Sequence, residues 1–282
     1  MNPKALVFGL IGYPVKHSLS PVMHNAALSR LKIKAKYKLF PLQERQLKSF
    51  LDDLQKKNIR GLNVTIPHKE RVLEYIDGYV SEGVRAIGAA NTIVVGKDGK
   101  LNAYNTDYLG FSRHIKELKL RPKKIAIIGA GGAAKAVAFA LIKNKAREIS
   151  LYDIDKFRSL SLVKRFSDMF LECKFKAVAS VEELALGDKD LLVNASSVGM
   201  KEADPLLVNP KSLHKNIFVY DLIYNPPETK LLKAARDAGS GCSNGLGMLL
   251  YQGVEALNLW VKPKKAPIEV MREALLRGDR KL

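Results

Sequence analysis

The sequence predicts an α/β fold in two domains, and three observations carry the prediction. The chain has 282 residues, close to twice the roughly 150 of a typical domain, and is 47% hydrophobic, enough to bury sizeable cores. Short apolar runs alternate with stretches of helical character, the pattern of largely parallel sheets covered by helices. A glycine-rich turn at residues 129–132 joins an apolar run to an alanine-rich helix.

Taken in order, residues 5–11 form an apolar strand ended by Gly12 and Pro14, 21–31 a helix, 37–41 a strand and 47–57 a helix. Residues 61–66 read as a strand closed by Pro67, and 90–95 pairs with 101–104 as a hairpin across Gly96-Lys97-Asp98-Gly99. These make one mixed α/β domain, 1–106. A helix runs from Asp107 or Tyr108 to Leu118, with the Thr106 hydroxyl as its expected cap. The pattern then becomes more regular: strand 124–128, helix 133–144, strand 148–153, helix 156–166, strands 191–194 and 217–221, helix 229–238, giving a second domain over 107–246. Helices 247–260 and 267–276 finish the chain; the stretch 247–282 is expected to complete the first domain and leave a cleft between the two. Trp260 reads as core.

Lys and Arg number 47 against 28 Asp and Glu, a formal charge of +19. Such a surplus raises nucleic acid or anionic lipid as partners. The basic residues fall in short clusters at 32–38, 119–124 and 262–265 with little aromatic interleaving, so they read as solvated faces and no nucleic-acid partner is expected. Cys173 and Cys242 show no CxxC or Cys/His spacing, so reduced thiols and no metal are expected. The first apolar stretch is too short for a secretory signal, and no run approaches the roughly 18 apolar residues of a membrane span, which predicts a soluble, cytoplasmic protein with no membrane partner. His114 and His214 read as solvated; His17, His24 and His68 read as structural.

Residues 123–144 read as a buried strand, a tight turn and a helix, with Gly129-x-Gly131-x-x-Ala134 in the turn. Gly129 makes the turn, Gly131 lets backbone amides approach a pyrophosphate, and the helix offers it a positive end. The second domain is therefore expected to be Rossmann-like: doubly wound and dinucleotide-binding. Asp153 ends the next strand, where a carboxylate accepts ribose hydroxyls and repels a 2′-phosphate, favouring NAD over NADP; Lys156 and Arg158, just downstream, are placed to reach such a phosphate.

Four segments carry more polar chemistry than structure demands. HSLSP (17–21) puts Ser18 and Ser20 on a loop before a helix, and NVTIPHK (63–69) points Asn63 and Thr65 the same way and sets Lys69 at a helix start. NTD (105–107) places a carboxylate at another helix start, and GLGMLLYQG (245–253) carries Gln252 on a helix. With GAGGAA (129–134), GAANT (88–92), NASSVGM (194–200) and DLIYNPPETKLL (221–232), in order from Gly9 to Met271, the chain resembles the shikimate dehydrogenase family.

The resemblance implies a substrate domain followed by a nicotinamide-binding domain. The implied activity is reversible hydride transfer between NAD(P)H and 3-dehydroshikimate, giving shikimate for aromatic amino-acid biosynthesis, by a monomer or homodimer without a metal. It makes Lys69 and Asp107 the catalytic pair and surrounds the substrate with Ser18, Ser20, Asn63, Thr65, Asn91, Tyr224 and Gln252. Gly129, Ala130, Gly131, Gly132, Ala133, the stretch from Asp153 to Arg158, Leu222 and Gly245 line the cofactor.

The residue types suit that chemistry. Reducing a ketone requires a proton for the developing alkoxide. A helix's positive end and partial burial disfavour the Lys69 ammonium while Asp107 favours and orients it, which makes them a coupled acid/base pair. A polyol needs many small hydrogen-bonding groups, and with no Arg in the motifs its carboxylate falls to the two serines. NADP-linked members carry Asn-Arg-Thr where this chain has Asp153-Ile154-Asp155, so NAD is favoured although NADP is the family default. That replacement looks like the NAD-using quinate/shikimate branch, which tends to carry Thr where Ser20 stands here. The alternatives are an NAD-dependent quinate/shikimate dehydrogenase and, more remotely, an NAD-binding regulator contacting nucleic acid, against which the intact Lys69 and Asp107 argue.

Overall fold

A computed structural model describes residues 5–279, so the expected domain ends at 1 and 282 lie outside the described residues. The chain divides into two compact units: within the described residues, 5–110 with 249–279, and 111–248.

The first unit opens with β1 (Leu6–Gly12), α1 (Ser20–Arg30), β2 (Ala35–Pro41), α2 (Leu47–Asp52) and β3 (Ile59–Val64). It continues with α3 (Glu82–Ile87), β4 (Thr92–Val95) and β5 (Leu101–Tyr104). The strands lie in the order β2-β1-β3-β4-β5: β1 pairs in parallel with β2 and β3, and the β4–β5 hairpin is added antiparallel. Ile11, Leu62, Val64, Ile93 and Ala103 bury one face against Leu47, Phe50, Leu51 and Leu54. The helix expected over 47–57 ends at Asp52; turns take the chain through Asn58, at φ +54, back into β3. The short helix α3 went unforeseen; the Ser81 hydroxyl caps its first turn by accepting the Val84 N–H.

α4 (Asp107–Glu117) contains the boundary between the units. The second unit then runs β6 (Lys124–Ile128), α5 (Gly132–Lys143), β7 (Glu148–Tyr152), α6 (Lys156–Met169), β8 (Lys174–Ala177), β9 (Leu191–Asn194), β10 (Phe218–Asp221), α7 (Lys230–Asp237) and β11 (Gly241–Ser243). All its strand pairs are parallel, in the order β11-β10-β9-β6-β7-β8, so the sheet is wound outward from β6 in both directions. β8 and β11 escaped the sequence reading because these edge strands are short and partly exposed, without the apolar runs of the strands between them. α8 (Leu246–Trp260) holds the second boundary, and α9 (Ile268–Asp279) packs on α1 in the first unit. Trp260 is half-buried, stacked 5.1 Å from Phe8, with its Nε1 donating to the Ile93 carbonyl at 3.0 Å.

Two histidines expected to be solvated are not. His114 is buried, its Nδ1 2.6 Å from the Tyr220 hydroxyl, because the face of α4 that carries it packs inside the second unit. His214 is half-buried, its Nε2 3.1 Å from the Leu186 carbonyl. Cys173 and Cys242 are free thiols, and burial pushes the Cys173 thiol up to about 11. Among the described residues no helix is long and apolar enough to cross a membrane, and no cluster of His, Cys, Asp and Glu could hold a metal.

Candidate functional site

In the first unit, the end of β3, the turn after it, the start of β4 and the start of α4 bring a set of polar side chains together. Lys69 Nζ lies 2.6 Å from Asp107 Oδ2, the two side chains 14% and 8% exposed. The other oxygen, Oδ1, accepts from Asn91 Nδ2 at 2.7 Å. That amide also reaches Thr106 Oγ1 at 3.0 Å and Gln252 Oε1 at 3.4 Å, and Asn91 Oδ1 accepts the Thr106 N–H at 2.6 Å. Asn63 Nδ2 donates to the Asn91 carbonyl and to Thr92 Oγ1, both at 3.2 Å. Lys69 is fixed by its backbone as well, its carbonyl accepting the Ala90 N–H at 2.8 Å.

Two expectations need correcting. The cap of α4 is Asn105, not Thr106: Asn105 Oδ1 accepts the N–H groups of Asp107 and Tyr108 at 3.1 and 3.3 Å, while the Thr106 hydroxyl turns inward to Asn91 and Thr92. Lys69 does not begin an α-helix. It sits in a turn before a 3₁₀ segment, Arg71–Tyr75, too short to sum the dipole invoked for it.

The remaining substrate candidates are placed as follows. Ser20 is the first residue of α1, and Ser18 Oγ accepts its N–H at 3.2 Å. Neither serine is hydrogen-bonded to the Asn91 cluster. Thr65 is half-buried, and its carbonyl accepts the His68 N–H in the turn leading to Lys69. Gln252 is buried on α8, donating to the Leu249 carbonyl at 2.9 Å. Tyr224 belongs to the second unit, half-buried in the loop after β10. The sequence reading missed Thr92, Asn105 and Tyr37 as partners of these groups; only the Asx-type position of Asn105 before a helix offered a signal.

In the second unit, β6 ends where the strand order reverses, between β6 and β9. Gly129 turns the chain at φ +103, and a β-carbon there would lie 2.9 Å from the Ala195 carbonyl. Gly131 differs: a β-carbon would stand in open space, so nothing within the protein demands glycine. Above it lie the first N–H groups of α5, at Gly132 and Ala133, which have no partner within the helix. The loop therefore fits a dinucleotide pyrophosphate.

Asp153 was expected to face a ribose, and its carboxylate also holds the loop: Oδ2 accepts the Ala130 N–H at 2.6 Å and Oδ1 the Asp155 N–H at 2.8 Å. Ile154 beside it is 95% exposed. Asp155 caps α6, accepting the Phe157 N–H, and pairs with Arg158 at 3.4 Å. Across the switch point, Asp221 ties two motifs together, accepting from Thr229 Oγ1 at 2.7 Å, Asn194 Nδ2 at 2.9 Å and the Ile223 N–H at 3.1 Å. Burial raises this carboxyl above its ordinary value, opposed by those hydrogen bonds. Leu222 follows it, its N–H on the Asn194 carbonyl, and Gly245 donates to the Ile223 carbonyl at 3.1 Å.

A parallel sheet with a glycine turn at its switch point defines the class: a dinucleotide-binding α/β protein, whose other unit holds a buried lysine–carboxylate pair among amides. Comparison with known proteins narrows this. A family model described as the shikimate dehydrogenase substrate binding domain matches residues 10–93, and one described as the shikimate 5′-dehydrogenase C-terminal domain matches 245–276. The chain is 42% identical over 281 residues to a shikimate dehydrogenase (NADP(+)) of Methanopyrus kandleri, covering 96% of this chain and 94% of that one. The crystal structure of shikimate dehydrogenase from Aquifex aeolicus superposes with a TM-score of 0.88 at 36% identity, covering 98% and 99% of the two chains. That of shikimate 5-dehydrogenase from Listeria monocytogenes, in complex with shikimate and NAD, gives 0.85 at 34% identity over 96% of each. The chain belongs to the shikimate dehydrogenase family.

Proposed function

We propose that this chain is a shikimate dehydrogenase, interconverting 3-dehydroshikimate and shikimate with a nicotinamide cofactor. The observation that carries the reading is the Lys69–Asp107 contact of 2.6 Å, nearly buried and surrounded by neutral amides and hydroxyls. A nicotinamide cofactor supplies, when bound, the hydride donor or acceptor, and Gly129 to Ala133, Asp153, Leu222 and Gly245 are the residues proposed to hold it.

The protein's own residues handle the proton and the orientation. Lys69 Nζ donates a proton to the oxygen that becomes a hydroxyl as the ketone is reduced, and withdraws it in the reverse direction. Asp107 Oδ2 aims that ammonium, and Asn91 fixes Asp107 through Oδ1, so the carboxylate cannot rotate away. The neutral amides of Asn63, Asn91 and Gln252 and the hydroxyls of Ser18, Ser20 and Thr65 are suited to a polyol, since a missing hydroxyl would leave a buried polar group unpaired. The two serines take the carboxylate. Tyr224 enters this proposal through the family resemblance alone.

We further propose that NAD is preferred to NADP. Asp153 is pinned at both oxygens, so it cannot swing aside for a 2′-phosphate; Ile154 offers that group no charge, and Arg158 is already turned to Asp155.

Lys69→Ala tests the reading. kcat for shikimate oxidation should fall by about 10² to 10⁴, the usual worth of a positioned acid/base, while cofactor binding measured by fluorescence titration stays unchanged. A variant keeping about half of the native turnover would refute the assignment.

A further inference from the structure

Tyr37 belongs to no motif that the activity absorbs, yet it is buried and held on several sides. The adjacent residues His24 and Asn25 of α1 both serve it. Asn25 brackets its backbone, donating from Nδ2 to the Tyr37 carbonyl at 3.0 Å and accepting the Tyr37 N–H at Oδ1 at 2.8 Å. His24 stacks on its ring at 4.3 Å with the planes 8° apart, and Trp260 lies tilted at 6.1 Å. The phenol so fixed donates its one proton to Asn63 Oδ1 at 2.8 Å.

An asparagine amide has two chemically different ends, and only its hydrogen-bond partners decide which way it faces. Asn63 Nδ2 rests on acceptors at 3.2 Å, the Asn91 carbonyl and Thr92 Oγ1. The Asn91 carbonyl can only accept, so it sets which end of the amide is Nδ2, and Thr92 Oγ1, which gives its own proton to Asn91 Oδ1 at 3.1 Å, accepts there too. The Tyr37 hydroxyl, able to donate or to accept, donates here to Oδ1, and its contact is the shortest of the three.

We propose that Tyr37 is a positioning residue of the substrate site: its hydroxyl holds the oxygen end of the Asn63 amide in the place that meets the substrate, and His24 and Asn25 hold Tyr37 for that task. The inference rests on the shikimate dehydrogenase reading, in which Asn63 faces the substrate. It explains a paired histidine and asparagine on α1 that the proton chemistry does not use. Removing the hydroxyl leaves Asn63 Oδ1 without this donor and loosens that end of the amide.

The test is a double-mutant cycle on shikimate oxidation. Tyr37→Phe keeps the stacked ring and removes only the hydroxyl. It should raise KM for shikimate about tenfold, with kcat changed less than about twofold and KM for the cofactor unchanged. In an Asn63→Ala background the same replacement should change KM by less than about twofold, because there is no amide left to orient. A KM rise below about threefold in the native background, or an equal rise in both backgrounds, overturns the proposal. Should Tyr37→Phe not fold, Asn25→Ala, which loosens the Tyr37 backbone and leaves its hydroxyl in place, is scored in the same cycle. Native protein that does not oxidise shikimate at all would instead defeat the underlying reading, so the two failures are distinguishable.

Discussion

His24 is fully buried with neither ring nitrogen hydrogen-bonded, and burial pulls its imidazole from the ordinary 6.5 down to about 3. The folded chain therefore accepts only the neutral ring, while the unfolded chain takes up a proton below its ordinary value. Stability contributed this way is complete above pH 6.5 and is lost as pH falls from 6.5 toward 3, at about 1.4 kcal/mol per pH unit. Urea unfolding at pH 7 and pH 5 should show a loss about 2 kcal/mol larger for native protein than for His24→Phe, which keeps a ring on Tyr37. Equal losses would mean that the imidazole is not buried as described. The sequence marked His24 as structural but gave no means of finding its partners, because the ring it stacks on is contributed by a strand after α1. Thr106 and Asn105 show the converse limit: both are good caps, and only the inward neighbours Asn91 and Thr92 decide which hydroxyl or amide turns away from the helix.

Among elements, the β6–α5 turn gives the sharpest contrast. Gly131→Ala adds a methyl group to open space, so the fold should persist, with Tm within a few degrees of native, while KM for the cofactor rises about tenfold as the pyrophosphate loses its close approach. Gly129→Ala forces a side chain onto φ +103 and against the Ala195 carbonyl, and should destabilise the protein by about 1–3 kcal/mol. If both replacements acted on stability alone, the turn would be a packing device and the dinucleotide reading would lose its support. This turn was legible because glycine spacing, an apolar strand and an alanine-rich helix agree. Lys69 was harder to place: the proline and histidine before it end a strand clearly, but nothing local separates a 3₁₀ turn from the start of an α-helix.

For the whole molecule, the alternation of apolar runs foretold the α/β architecture and the second sheet's parallel strands between its edges. The weak edge strands β8 and β11 needed the sheet itself to recruit them. Among the residues of the proposed site, Lys69, Asp107 and Asp153 could be singled out from the side chain's own type, whereas Tyr37, Asn105 and Asp221 could not, because each holds another group by hydrogen bonds that only the folded chain brings about. The charge of +19 suits the proposed substrate and cofactor, which are both anionic. The most direct measurement is the absorbance change of the nicotinamide when shikimate or quinate is offered with NAD or NADP. Shikimate is expected to turn over with a higher kcat/KM for NAD than for NADP, and quinate at less than about one-tenth of the shikimate value. An NADP preference of about tenfold would overturn the cofactor assignment, and no turnover of shikimate with either cofactor would contradict the shikimate dehydrogenase assignment itself.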